Sequence, residues 1–353
     1  MKNKIMNRKL HQWAVIGAGP AGIAAVGKLL DHGILAEDIL WFDPSFKVGD
    51  FGHYWSNVSS NTKVKFFKDF LLDVRSFHYQ EAPVDFPLNH LPVNETCTLS
   101  YMVEPLQWIT DCLLQKIHSV KTTIRNMFLS KRQWTLSSDS KTYLAKNVIL
   151  ATGALPSTLN YPGVNVIPFD TAIDKEKLAS VIKRDETYGV FGSSHSAIII
   201  LKHLVDLNVK KIINFYRSPC CYAVEMDDWI LFDNTGLKGQ SAAWAREHID
   251  GVLPPNLFRC NVSEANIARF LPECDHVIYA VGFEQRKSIV IGDYENARHN
   301  PHVGIIGPGL FGLGIAYPET KTDIYGNSES QVGLWKFMVY LNKVMPVWLN
   351  YPT

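Results

Sequence analysis

Trp13-Ala14-Val15-Ile16-Gly17-Ala18-Gly19-Pro20-Ala21-Gly22 is the stretch on which the reading of this chain turns. An apolar run of strand character ends in a glycine turn, a small-residue segment of helical character follows to Leu30, and Gly33 stops it. A second apolar run closes at Leu40-Trp41-Phe42-Asp43. Strand, glycine turn, helix and strand in that order make a βαβ unit of the dinucleotide-binding kind. Gly17 permits the tight turn, Gly19 lets backbone approach a pyrophosphate, and Gly22 lets the helix pack on the strand. The phosphates then rest on N–H groups at a helix N-terminus, which places Pro20 and Ala21 among the binding residues. Asp43, about 20 residues past Gly22, stands where an acid that accepts from ribose hydroxyls is expected. A GxGxxG string alone is weak, because helix turns need glycine anyway. Here the strand, the stop signal and the acid agree, against an ordinary βαβ turn.

Outward from this unit, Pro44 to Trp55 reads as a loop carrying Gly49, Gly52 and His53-Tyr54-Trp55, and leads into Ser59-Ser60-Asn61-Thr62-Lys63 and the aromatic Phe66 to Phe70. Residues 80–95 read as an exposed loop, 103–118 as an amphipathic helix, and 122–128, 133–136 and 142–144 as short strands of a small sheet. Asn147 to Leu150 is an apolar strand that closes on Ala151-Thr152-Gly153, where a residue without Cβ lets backbone pass close to a ligand. Pro156, Pro162 and Pro168 mark a connector.

An echo begins at Tyr188. Gly189-Val190-Phe191 is a strand, Gly192-Ser193-Ser194-His195-Ser196-Ala197 sits in the place of the glycine turn, a helix follows to Leu207, and Lys211 to Arg217 is the second strand. Ala197 at the third site is an accepted variant, whereas Ser194 at the second crowds a phosphate. Val277 to Gly282 repeats the pattern of 148–153. Two nucleotide-binding units follow, one inserted into the other, because the glycine-rich part from Gly304 onward carries no third fingerprint.

The chain's 353 residues suggest about two domains. A formal net charge of +1 offers no electrostatic case for nucleic acid or an anionic membrane as partner. The start, Met1 to Leu10, is basic and polar with no signal or membrane-spanning run, so the cytoplasm is expected. Six cysteines include no CxxC and no zinc-like grouping, and adjacent Cys220 and Cys221 read as reduced, partly buried thiols.

These motifs resemble the flavoproteins with two dinucleotide-binding domains, the pyridine nucleotide-disulfide oxidoreductase superfamily, and within it the flavin-containing and N-hydroxylating monooxygenases. The resemblance spans nearly the whole chain. Gly17 to Gly22 with Asp43 is similar to the FAD fingerprint, Gly49 to Trp55 to a glycine-then-tryptophan loop, and Ser60 to Lys63 with Phe66 to Phe70 to an asparagine-containing segment by the flavin. Ala151-Thr152-Gly153 and Ala280-Val281-Gly282-Phe283 resemble two linker motifs, and Glu329, Gln331 and Trp335 a pattern on the last helix, whose N-terminus faces the flavin ring.

The resemblance implies an α/β fold of two Rossmann-like, three-layer ββα domains: an FAD domain of residues 1–155 and 283–353, and an NAD(P) domain of 156–282 inserted in it. It implies an FAD-dependent oxidoreductase reduced by NADPH, a monooxygenase that oxygenates a nitrogen, sulfur or carbon centre of a small molecule through a flavin C4a-hydroperoxide. An oxidase or quinone-type reductase, and a flavin-binding scaffold without turnover, are the alternatives. The absence of any cysteine between 44 and 96 and of CxxC argues against a disulfide reductase. The chain is shorter than typical flavin-containing monooxygenases and lacks their C-terminal extension and membrane anchor.

Asn61 is the candidate catalytic residue: its amide can donate to the flavin or to reduced oxygen and hold the nicotinamide, against the plainer reading of a turn asparagine. Arg217 with Ser218 can hold a 2′-phosphate, which favours NADPH over NADH, against a solvated arginine leaving a strand. Trp55, Met127, Gly153, Gly192, Ser193, Ser194, Gly282 and Gln331 complete the cofactor candidates. His195 reads as a surface histidine at a helix start, and no metal ligands are expected.

Overall fold

The computed structural model describes residues 9–227, 229–294 and 297–351. The basic start, residues 1–8, lies outside the described residues.

Trp13 to Ile16 are all buried in the strand Leu10–Ile16, as expected of a strand flanked on both sides in a parallel sheet. It pairs in parallel with Ile39–Asp43 on one edge and Thr142–Leu150 on the other. The sheet continues outward to His118–Lys121 on the first side and to Leu310–Gly312 and Ile305–Gly307 on the second. Between them, Ala21 to Leu29 of the helix Pro20–Asp31 are all buried. The packing is tight enough that a Cβ on Gly27 would sit 2.5 Å from Val74 Cγ1.

The short strands expected to form a separate small sheet join the main one instead. Asn126–Ser130 and Gln133–Ser137 make a hairpin hydrogen-bonded to Thr142–Leu150, which runs unbroken through the two strands read from sequence. The hairpin's Met127, Trp134 and Leu136 cover the face of the sheet opposite the helices. That gives the three layers ββα. Residues 103–118 split: the helix is Ser100–Leu114, and His118 opens the edge strand. The loop 44–55 contains a short helix, Gly49–His53, preceded by Val48 in the left-handed region at φ 57°. Within 80–95, Phe86 and Leu88 are buried against the core although their neighbours are exposed.

A second sheet of five parallel strands has the order Asn165–Val166, His276–Tyr279, Thr187–Phe191, Lys211–Tyr216, Leu257–Asn261. The helix His195–Asp206 lies on it as the first helix lies on the first sheet, with Ala197 to Leu201 buried. The chain crosses between the sheets twice. The two crossings, Ala154–Pro156 and Phe283–Gln285, pair with each other as an antiparallel ribbon. The resemblance put Glu329 and Gln331 on the last helix, but they lie on the strand Ser328–Gln331, and that helix, Leu334–Leu349, begins three residues later with Gly333 at φ 138° as its N-cap. All six cysteines are free thiols, and Cys260 is buried.

Candidate functional site

The glycine turn is anchored through its first two N–H groups, those of Gly17 and Ala18. Gly17 donates to the Phe42 carbonyl at 2.8 Å, which ties the turn to the next strand. A Cβ on Gly17 would lie 2.2 Å from the Ala151 carbonyl oxygen, and one on Gly22 2.0 Å from the Gly17 oxygen, so both glycines are set by backbone contact inside the protein. Gly19 is different. A Cβ there would meet nothing nearer than Val48 O at 4.0 Å, its φ of −76° suits any residue, and it caps the helix with no side-chain acceptor. Its open side faces a cavity.

That cavity measures about 720 Å³ and is lined by Gly17, Gly19, Pro20, Ala21, Asp43, Trp55, Asn61, Ala151, Thr152 and Gly153. Gly22 stays behind the turn as helix packing. Asp43 is buried, and its carboxylate is already engaged: one oxygen accepts from the Ala18 N–H at 2.8 Å, the other from the N–H groups of Ser45 and Phe46 at 2.8 and 2.7 Å. It holds the glycine turn, the second strand and the following loop in one piece.

Several wall residues carried no local signal. Asp50, from the short helix, pairs with Arg286 Nη2 at 2.5 Å, across 236 residues of chain. Burial raises the Asp50 carboxyl above its ordinary range, and the Arg286 charge offsets part of that. Arg125, Ser288 and Phe337 complete other parts of the wall. The opposite wall comes from the second sheet: His195, Ser196 and Ile199 at the start of its helix. His195 is thus not on the free surface. Burial lowers its pKa, a hydrogen bond to the Ser59 backbone opposes the shift, and Nδ1 is buried with no partner among the described residues.

Asn61 is exposed at the end of this cavity, on the strand Ser59–Lys63. Its Oδ1 receives the Thr62 hydroxyl at 3.5 Å. Asn61, Thr62, Val332, Gly333 and Leu334 also line a second cavity of about 930 Å³, so the two share one lip.

Other candidates fall elsewhere. Met127 is buried in the hairpin core, although Thr122 to Arg125 just before it do line the first cavity; the alternation of the strand turns its side chain inward. Gln331 lines the second cavity, because its strand ends before the helix that reaches the first. Gly192 adopts φ 128° with a would-be Cβ 2.3 Å from the Ala280 oxygen, repeating the backbone contact of Gly17 with Ala151. Ser193, Ser194 and Gly282 line neither cavity, and Arg217 and Ser218 are exposed past the strand Lys211–Tyr216. Among the described residues no group of three or more metal-ligating side chains occurs, and no helix is long and apolar enough to cross a membrane.

Two strand-turn-helix units on parallel sheets, joined by a paired crossing, define the class. The chain belongs to the pyridine nucleotide-disulphide oxidoreductase family, whose model matches residues 11–230. It is similar to Monooxygenase AgnR1 of Paecilomyces divaricatus, with 32% identity over 381 residues, 95% of this chain and 97% of that one. Among solved structures it resembles a flavin-containing monooxygenase of Stenotrophomonas maltophilia (15% identity, 97% and 99% of the two chains, TM-score 0.63). It also resembles the ornithine N-hydroxylase of Kutzneria sp. 744, solved with reduced FAD, NADP+ and L-ornithine (14% identity, 97% and 99%, TM-score 0.63). At such identities the solved structures speak for the fold.

Proposed function

We propose that this oxidoreductase binds FAD, is reduced by NADPH, and oxygenates a nitrogen, sulfur or carbon centre of a small molecule in the cytoplasm. The carrying observation is one cavity walled on one side by the first glycine turn and on the other by the start of the second nucleotide-type helix. Support for FAD comes from the open face of Gly19, the uncapped N-terminus of the helix Pro20–Asp31, and the unpartnered buried Nε of Arg286 among the described residues. When bound, FAD supplies the hydride acceptor and the site of oxygen reduction.

The chain's residues have the remaining tasks. Gly17, Gly19 and the first turn of the helix would hold the pyrophosphate. Asp43 keeps that turn in shape, and the Asp50–Arg286 pair joins the loop of the first unit to the returning crossing. Phe67, Ile199 and Leu313 give the cavity apolar wall that excludes water. Asn61 would donate its side-chain N–H to the oxygen atoms being reduced. His195, whose pKa burial lowers, can donate one N–H to the Ser59 backbone and so tie the start of the helix His195–Asp206 to the strand that carries Asn61. Arg217 and Ser218, which stand in solvent, would engage the 2′-phosphate only when NADPH is bound.

The test mixes FAD-loaded protein with NADPH without oxygen, then admits oxygen and measures peroxide. Bleaching by NADPH is expected, with slow peroxide release in the native protein and release at least about 10-fold faster in Asn61→Ala, the size of effect expected for a hydrogen bond to a charged group. Equal, rapid release from both would replace the monooxygenase reading by the oxidase one. Flavin that NADPH leaves oxidised would favour the non-catalytic scaffold.

A further inference from the structure

The second cavity has a chemistry of its own. Its apolar lining includes Phe66, Ile230, Leu237, Leu334, Trp335 and Val339. Two ammonium groups share one carboxylate there: Asp233 pairs with Lys238 through one oxygen and with Lys336 through the other, the latter at 2.5 Å. The triad therefore carries a net positive charge. Lys336 spends its remaining donors on Asn234 Oδ1 at 2.5 Å and the Asp233 carbonyl at 3.4 Å. Lys238 has Asp233 as its one partner among the described residues, which leaves two of its three N–H bonds without a protein acceptor.

The local backbone has the same sign. Lys238 is the N-cap of the helix Gly239–His248, no side chain caps that end, and Gly239 and Gln240 of its first turn line the cavity. Of the other lining carboxylates, Glu225 and Glu319 are paired, with Lys63 at 3.2 Å and with Lys343 at 2.8 Å; Glu95 has no ion pair among the described residues, and Arg246 and Lys321 add positive charge to the same lining. None of residues 192–197, the second nucleotide-type turn, lines this space. Through Asn61 it opens onto the first cavity.

We propose that the second cavity is the substrate pocket and that it selects an aromatic small molecule bearing one anionic group, a carboxylate or phenolate, which docks on Lys238. This deepens the monooxygenase reading and rests on it. The cation anchors the far end of the molecule, the apolar walls hold its ring, and the part to be oxygenated points to the lip at Asn61.

The probes are 2-naphthoate, its neutral carboxamide and 2-naphthylmethylammonium. They are titrated against the protein by tryptophan fluorescence, with Trp335→Phe to assign the signal and flavin content measured in the same samples. Naphthoate is expected to bind at least about 10-fold tighter than the carboxamide and tighter still than the ammonium. Lys238→Gln should erase that preference, and Lys238→Arg should keep it. Equal affinities, a preference for the ammonium, or a preference that survives Lys238→Gln would overturn the proposal. Displacement of naphthoate by NADP+, with Lys238→Gln weakening NADP+ in step, would overturn it too by giving the pocket to the nicotinamide. The titration does not depend on flavin, so a protein that takes up no FAD refutes the flavoprotein reading by its spectrum while the pocket is still judged by the probes.

Discussion

Gly19→Ala separates the role of a residue in holding a cofactor from its role in holding the fold. Its backbone lies at φ −76°, ψ 176°, which alanine adopts freely, and the added methyl has 4.0 Å to its nearest protein neighbour. Alanine also has fewer unfolded conformations to lose than glycine, a gain of about 0.4–1 kcal/mol, set against a loss of about 0.5–1 kcal/mol because alanine is a poorer N-cap than glycine. The apo-protein should therefore melt within about 2 °C of the native one, since 1 kcal/mol moves a domain of 150–250 residues by about 2–4 °C. The methyl instead occupies the cavity where phosphate oxygens must approach the turn. Overpacking of that kind costs about 1–3 kcal/mol, so FAD affinity should fall about 5- to 150-fold.

Gly22→Ala is the control. Its Cβ would stand 2.0 Å from the Gly17 carbonyl oxygen, so the turn must retreat by more than about 1 Å, and the apo-protein itself should be destabilised by about 1–3 kcal/mol. FAD titration and thermal melting of both apo-proteins read the two effects. The cradle assignment fails if Gly19→Ala binds FAD as the native chain does, or if it loses stability as Gly22→Ala does.

Asp43→Ala removes the acceptor of three backbone N–H groups and should cost about 3 kcal/mol in urea denaturation of the apo-protein, with Asp43→Asn recovering about half; a loss below about 1 kcal/mol would mean those bonds are not holding the turn. Arg217→Ala, an exposed change, should leave stability within about 0.5 kcal/mol and raise KM for NADPH far more than for NADH; equal rises would remove its assignment. Burial holds the His203 imidazole down at about 4, so between pH 6.5 and 4 the unfolded chain takes up a proton that the folded one refuses. That contribution is complete above pH 6.5 and is lost as pH falls toward 4, at most about 3 kcal/mol, and His203→Gln should flatten this part of the stability curve measured by denaturant titration. An unaltered slope would place the acid sensitivity elsewhere.

The two nucleotide-type turns were legible because their constraints are local. Glycine, strand and helix follow one another within about 30 residues, and the would-be Cβ of Gly17 and of Gly192 strikes the carbonyl of Ala151 and of Ala280, the strand closers the pattern had singled out. Asn61 was legible as a candidate only by resemblance, and its segment alone reads equally well as a turn. The hairpin was read correctly as strands but assigned to the wrong sheet, since alternation reports the two faces of a strand and says nothing about its neighbour.

What the chain's order of residues determined, then, is the set of turns and the periodicity that put strands and helices between them. Tertiary structure alone decided that Asp43 spends its oxygens on backbone, that Met127 turns into the core, and that His195 faces a cavity rather than solvent. It also paired Asp50 with Arg286 and set Lys238 and Lys336 on a single carboxylate. The physical reason is range: a turn is a steric matter among neighbours, whereas the charge and burial of a side chain depend on whichever distant segments the packed sheets bring beside it.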